Sequence, residues 1–147
     1  MALPKGSRAV LLVDDEEMVR DLVRECLEGA GYRVVTASSG DEALRLWAQR
    51  PHHFALVVTD RVMPGPGGEE LVARLRQSQP DLRAIFMSGY ADDNLLERGG
   101  GAGPGIHLPK PFTPADLIRA VREALRDTPG EMPKRARRQA GRRRSRR

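Results

Sequence analysis

The stretch Ala9-Val10-Leu11-Leu12-Val13-Asp14-Asp15 runs five apolar residues without alternation and stops on two acids. A run of that kind, with no polar face, is the pattern of a β-strand covered on both sides, as strands of parallel sheets are. Downstream, Met18, Val19, Leu22, Val23, Cys26 and Leu27 recur at helical spacing until Gly29 and Gly31 break the pattern. The same alternation then repeats. Arg33 to Ala37 reads as a second strand, Asp41 to Gln49 as a helix with Ala43, Leu44 and Trp47 on one face, and Phe54 to Thr59 as a third strand. After the turn Pro64-Gly65-Pro66-Gly67-Gly68 come a helix carrying Leu71, Val72 and Leu75, a fourth strand from Arg83 to Met87, and a short weak helix from Ala91 to Arg98. Ile106-His107-Leu108 is a short fifth strand, and Pro114 to Arg126 a final amphipathic helix with proline in its first turn.

Five strands spaced by helices predict parallel pairing with right-handed crossovers, hence an α/β fold with an open, doubly wound five-stranded sheet of the flavodoxin-like (βα)5 kind, strand order 2-1-3-4-5. Composition agrees: hydrophobic residues are 39% of the chain and aromatics 4%, so a core must come from Val, Leu, Ile and Ala. A length of 147 residues accommodates one domain and a short appendage. The sequence has no apolar run of membrane-spanning length and no secretory signal pattern, so a cytoplasmic protein without membrane attachment is expected. The single cysteine, Cys26, cannot form an internal disulfide and is read as core packing.

The formal net charge of +5 conceals a division. Residues 129–147 hold nine Lys or Arg and one acid, Glu131, whereas the first 128 residues hold 16 bases and 19 acids. Like charges with almost no large apolar side chain cannot offset the entropy of ordering, so 129–147 is predicted to be a disordered basic tail and 1–128 the folded domain.

Ligands of open α/β sheets bind at the carboxyl ends of the strands. The residues predicted there are Asp14 and Asp15 after the first strand, Asp60 after the third, Ser88 after the fourth and Lys110 after the fifth. Three carboxylates brought together repel unless a divalent cation lies among them, and an all-oxygen set suits Mg2+. A carboxylate beside a cation, a lysine and a hydroxyl is equipped to accept a phosphoryl group, since phosphoryl transfer depends on positioning and electrostatics. The plainer reading of Asp14-Asp15, that they only favour the start of the next helix, leaves the other three strand ends unexplained.

From about Arg8 to Arg126 the sequence resembles the receiver domains of bacterial two-component response regulators. The words that carry the resemblance are Leu12-Val13-Asp14-Asp15-Glu16, Val58-Thr59-Asp60-Arg61-Val62-Met63-Pro64-Gly65, Met87-Ser88-Gly89-Tyr90 and Leu108-Pro109-Lys110-Pro111-Phe112-Thr113. In style they look most like the receivers attached to hybrid sensor kinases. The resemblance implies that Asp60 is the phosphoacceptor and that Asp15, Asp60 and the Val62 carbonyl ligate Mg2+ directly, with Asp14 acting through water. It implies that Ser88 and Lys110 engage the phosphoryl oxygens, and that the Lys110–Pro111 bond is cis. The chain is then a phosphoacceptor signalling domain rather than an enzyme, with Mg2+-dependent self-phosphorylation from phosphodonors and autodephosphorylation. Its partner is a histidine kinase or phosphotransfer protein, and a monomer or weak dimer is expected.

Two features depart from the family. Members couple phosphorylation to an aromatic side chain three positions before the lysine, and that position is His107. A histidine rotates as an aromatic does and also brings a charge near pH 6.5; against the switch role stands a half-buried strand histidine with none. The run Gly99-Gly100-Gly101-Ala102-Gly103-Pro104-Gly105 is too rich in glycine for a stable helix end. His52 and His53, between Pro51 and a strand, are read as surface loop residues. The tail supports an alternative from another class, a regulator that binds nucleic acid weakly through its arginines. Interleaved aromatics and a helix-turn-helix pattern are both missing after Thr128. A haloacid-type phosphatase would want a second Asp two residues past the nucleophile, and position 62 is Val.

Overall fold

The computed structural model describes residues 9–89 and 105–126. Within them the order is β1 (Ala9–Val13), α1 (Glu17–Gly29), β2 (Val34–Ala37), α2 (Gly40–Gln49), β3 (Phe54–Asp60), α3 (Gly68–Ser78), β4 (Arg83–Ser88), β5 (Ile106–Pro109) and α4 (Pro114–Arg126). The five strands form one sheet in the order β2-β1-β3-β4-β5, every neighbouring pair parallel, as the alternation predicts. The short helix expected over Ala91–Arg98, the glycine run as far as Pro104 and the tail from Pro129 lie outside the described residues.

The apolar runs decide the layering, because side chains alternate across a strand and a run without polar residues must be covered on both faces. Ala9, Leu11 and Val13 join Phe54, Val57 and Phe86 on one face, beneath Trp47 of α2 and Leu71, Val72 and Leu75 of α3. Val10 and Leu12 join Leu56, Val58, Ile85 and Met87 on the other, beneath Val23 and Leu27 of α1 and Leu117 and Val121 of α4. β1 and β3 are buried along almost their whole length, and side chains such as Leu11, Leu12 and Leu56 lose all contact with solvent. Each such leucine contributes roughly 1.5–3 kcal/mol by leaving water.

Local chemistry sets the helix ends. The Ser39 hydroxyl accepts the Glu42 N–H at 3.1 Å, and the Glu42 carboxylate accepts the Ser38 N–H at 2.7 Å. Thr113 and Asp116 exchange backbone and side-chain bonds at 3.0 Å each, a capping box at the start of α4. α1 stops at Gly31, whose φ of 98° is a left-handed conformation that glycine adopts without a Cβ clash.

Three strands run further than the apolar pattern. β3 reaches Asp60, β4 reaches Ser88 and β5 reaches Pro109, since the ladder continues through the pairs Asp60↔Met87 and Ser88↔Pro109. Backbone pairing is indifferent to side-chain polarity, so Asp60 and Ser88 close their strands, whereas Asp14 and Lys110 come directly after theirs. β2 begins at Val34, one residue late. Cys26 is half-buried at the margin of the α1 face instead of within the core. His53 is also half-buried, its ring edge-on to Phe54 at 4.9 Å, whereas His52 is exposed with a φ of 63°.

Candidate functional site at the carboxyl ends of the strands

The strand order turns back between β1 and β3, and there the loops after the two strands diverge and leave a crevice. β1 delivers Asp14 to that crevice and β3 delivers Asp60, while β4 and β5 bring Ser88 and Lys110 alongside. Asp14 is fully buried and Asp60 and Ser88 nearly so; Asp15 is exposed. One carboxylate oxygen from each of Asp14, Asp15 and Asp60 lies within 4.8 Å of the other two. The Lys110 ammonium stands 3.2 Å from Asp60 Oδ1 and 3.8 Å from Asp14 Oδ2. The sequence-predicted acids, hydroxyl and lysine therefore meet at one edge.

Several backbone bonds hold these groups in place. The Glu16 N–H donates to Asp14 Oδ1 at 2.9 Å, and Arg20 donates to the Asp14 carbonyl at 2.8 Å. The Lys110 N–H donates to the Ser88 carbonyl at 2.7 Å, tying the loop after β5 to the end of β4, and the Lys110–Pro111 bond is cis. Val62, in the turn after β3, is half exposed.

The electrostatics of the crevice are unbalanced. Burial pushes the Asp60 carboxyl up to about 6; Lys110 opposes the rise, and the Asp14 charge adds to it. Asp14 is raised for the same first cause, with the Glu16 N–H and Lys110 pulling the other way. Burial works against the Lys110 ammonium as well, but Asp60 and Asp14 outweigh it and raise its pKa. One ammonium is thus shared between the two buried carboxylates, Asp60 and Asp14. Among the described residues Asp14 Oδ2 and Ser88 Oγ are buried without a hydrogen-bond partner, and such orphans ordinarily cost about 1–3 kcal/mol each. Orphaned oxygen acceptors beside crowded acids fit a hard divalent cation, whose charge would favour the ionised forms of Asp14 and Asp60.

His107 lies on β5 with its ring stacked on Phe86, centroids 5.5 Å apart. It is exposed, not half-buried, because β5 is the edge strand. Although the residue is exposed overall, the partial desolvation it does undergo and then the Arg61 charge lower its pKa, with Glu69 opposing. Its imidazole is therefore neutral near pH 7.

Sequence reasoning passed over Arg61. Its side chain is buried and pairs with Glu69 in the first turn of α3. The available signal was a single base between Phe54 and Gly68, directly after the predicted acceptor. Around the crevice, Met18, Leu22 and Val62 are large apolar side chains left in water, Met18 at 85% exposure. Leu22 also lines a shallow groove with Val19, Val23, Lys110, Pro111 and Phe112.

A family model described as the response regulator receiver domain matches residues 10–122. Among curated relatives, the sensor kinase CckA of Brucella abortus (strain 2308) is 40% identical over 120 residues, which are 82% of this chain and 13% of that protein. The response regulator MprA of Mycobacterium sp. (strain KMS) is 40% identical over 128 residues, covering 84% of this chain and 54% of the relative. The chain thus spans at most about half the length of these relatives. Among solved structures, a response regulator receiver domain protein from Clostridium thermocellum superposes with a TM-score of 0.71 at 32% identity, covering 80% of this chain and 94% of its own.

Proposed function

The chain belongs to the response-regulator receiver domain family, and from that premise we propose that it is a phosphoacceptor signalling module, phosphorylated on Asp60 by a histidine kinase or a phosphotransfer protein. The observation that carries this reading is the shared ammonium: Lys110 reaches both Asp60 and Asp14 beside the buried Ser88 hydroxyl, which has no hydrogen-bond partner among the described residues. The site is built for one more cation and one more anion than the protein supplies.

The residues that would hold Mg2+ are Asp15 and Asp60 directly, with the Val62 carbonyl, and Asp14 through water. When bound, the ion neutralises charge on the transferred phosphoryl group. An Asp60 carboxylate oxygen attacks the phosphorus of the donor's phosphohistidine, a P–O bond forms as the P–N bond breaks, and the imidazole leaves. Lys110 pairs with the new phosphoryl oxygens, and the unpartnered Ser88 hydroxyl donates to one of them. Small phosphodonors would serve as well, since the chemistry resides in this site, and attack by water on the acyl phosphate returns the carboxylate. Drawing Ser88 toward the phosphoryl group moves the end of β4, on which His107 leans through Phe86; His107 is proposed as the residue whose rotation reports the change.

The exposed Met18 and Leu22 lie on α1, which follows Asp15, and Val62 lies in the turn after Asp60; the three are proposed as the apolar footing of the donor protein. A second reading rests on the nine cations of residues 129–147, which suit weak, sequence-independent contact with nucleic-acid phosphates.

The decisive experiment is incubation with acetyl phosphate and Mg2+ followed by intact-mass measurement. One labile phosphoryl group per chain is expected, absent from Asp60→Asn and from samples treated with a chelator. Undiminished labelling of Asp60→Asn would remove Asp60 as the acceptor.

A further inference from the structure

The chemistry above makes no use of Arg61, yet this guanidinium is among the most deeply buried charges described, its side chain 1% exposed. It meets the Glu69 carboxylate through both Nε and Nη2. Taking two charges out of water costs several kcal/mol per ion, and their attraction inside the protein often does no more than offset that cost. Stability is therefore a poor account of why a charge lies here. Position is a better one.

Three constraints converge on the Arg61 main chain. Its N–H donates to the Met87 carbonyl at 2.9 Å, and its own carbonyl accepts the Gly68 N–H at 2.9 Å. The first turn of α3 sits so close that a Cβ on Gly68 would come within 2.3 Å of the Asp60 carbonyl oxygen, and one on Gly67 within 2.8 Å of the Arg61 carbonyl oxygen. The Arg61 side chain is then fastened to Glu69 in that same turn of α3. Asp60 precedes Arg61 and Val62 follows it, so the acceptor carboxylate and the Val62 carbonyl hang from one residue clamped at its main chain and at its side-chain tip.

We propose that the Arg61–Glu69 pair is a positioning device for the metal site: by fixing the turn after β3 to α3, it presents the Asp60 carboxylate and the Val62 carbonyl together and so sets the affinity for the divalent cation. The inference rests on the assignment of Mg2+ to Asp15, Asp60 and Val62 made above. Neither Arg61 nor Glu69 touches the ion; both act through the backbone between the ligands. Groups that orient metal ligands typically change metal affinity by about 10–100-fold when removed, and an effect near the lower end is expected for a ligand held through its main chain.

The test measures binding of Mn2+ alone by electron paramagnetic resonance, with Mg2+ as competitor and no phosphodonor. Glu69→Gln removes the carboxylate's charge at nearly constant shape, and the double variant Arg61→Met, Glu69→Leu replaces the pair by apolar side chains of similar volume. The double variant is expected to melt no lower than the unaltered protein, as replacement of a buried ion pair by packed apolar groups allows. Both variants are expected to bind Mn2+ and Mg2+ about tenfold more weakly. Their phosphorylation by acetyl phosphate should recover at saturating Mg2+, a split between affinity and maximal rate that loss of folding does not produce. Unchanged affinity in the double variant overturns the positioning role. If the unaltered protein binds no Mn2+, or binds it equally well after Asp15→Asn with Asp60→Asn, the metal site itself is wrong, and the two failures are thereby told apart.

Discussion

Asp60 is held in a state that its own burial opposes. Burial raises its carboxyl to about 6, against 3.8 as the reference for an unperturbed group. Between about pH 4 and 6 the folded state therefore keeps a proton that the unfolded chain has released, and stability falls as pH rises through that window. A shift of this size corresponds to about 1–3 kcal/mol. With a chelator present, Asp60→Asn is expected to be more stable than the unaltered protein by that amount at pH 7, and by much less at pH 4. Urea unfolding at the two pH values measures it. Equal stability of the two proteins at pH 7 would contradict the burial that raises this carboxyl. Added Mg2+ should close the gap, because a cation that binds only the folded site stabilises it.

At the scale of elements, α1 divides its labour along its length. Val23 and Leu27 are buried against the sheet, while Met18 and Leu22 stand in water in the first half of the helix, the half that follows Asp14 and Asp15. A helix meant only to cover the sheet has no need of two exposed large apolar side chains at that end, although single ones are common on surfaces. Leu22→Glu together with Met18→Gln is expected to change stability by less than about 0.5 kcal/mol, as exposed substitutions usually do. Labelling by acetyl phosphate should be unaffected, while transfer from a cognate histidine kinase or phosphotransfer protein should slow by about tenfold or more, read by loss of label from the donor. Equal transfer rates would place the donor's footing elsewhere. α3 serves the site in another way, since its first turn, through Gly67, Gly68 and Glu69, is seated on the main chain of Asp60 and Arg61.

Over the whole molecule, charge is distributed unevenly along the chain. Residues 129–147 carry nine bases against one acid, and the first 128 residues carry an acidic excess. If the basic segment contacts nucleic-acid phosphates, the full chain should bind duplex DNA with an affinity that falls steeply as salt rises, and a chain ending at Asp127 should lose that binding. Filter binding across a salt series decides it, and identical weak binding by both chains would end the nucleic-acid reading. Acetyl phosphate should label the two chains alike.

The layered fold and the five polar strand ends were legible in the sequence because both follow from short-range patterns. An apolar run such as Ala9–Val13 must be covered on both faces wherever it sits, and parallel strands joined by helices bring their carboxyl ends to one edge. What sequence could not supply is everything that depends on distance between separate elements. That Lys110 is shared between Asp60 and Asp14, that Ser88 and Asp14 keep unpartnered oxygens, that His107 lies exposed against Phe86 and that Arg61 is buried on Glu69 are consequences of packing. Arg61 shows the reason most plainly. Its charge predicts a place in water, and only the seating of α3 against the end of β3 supplies the half-buried carboxylate of Glu69 that lets it stay inside.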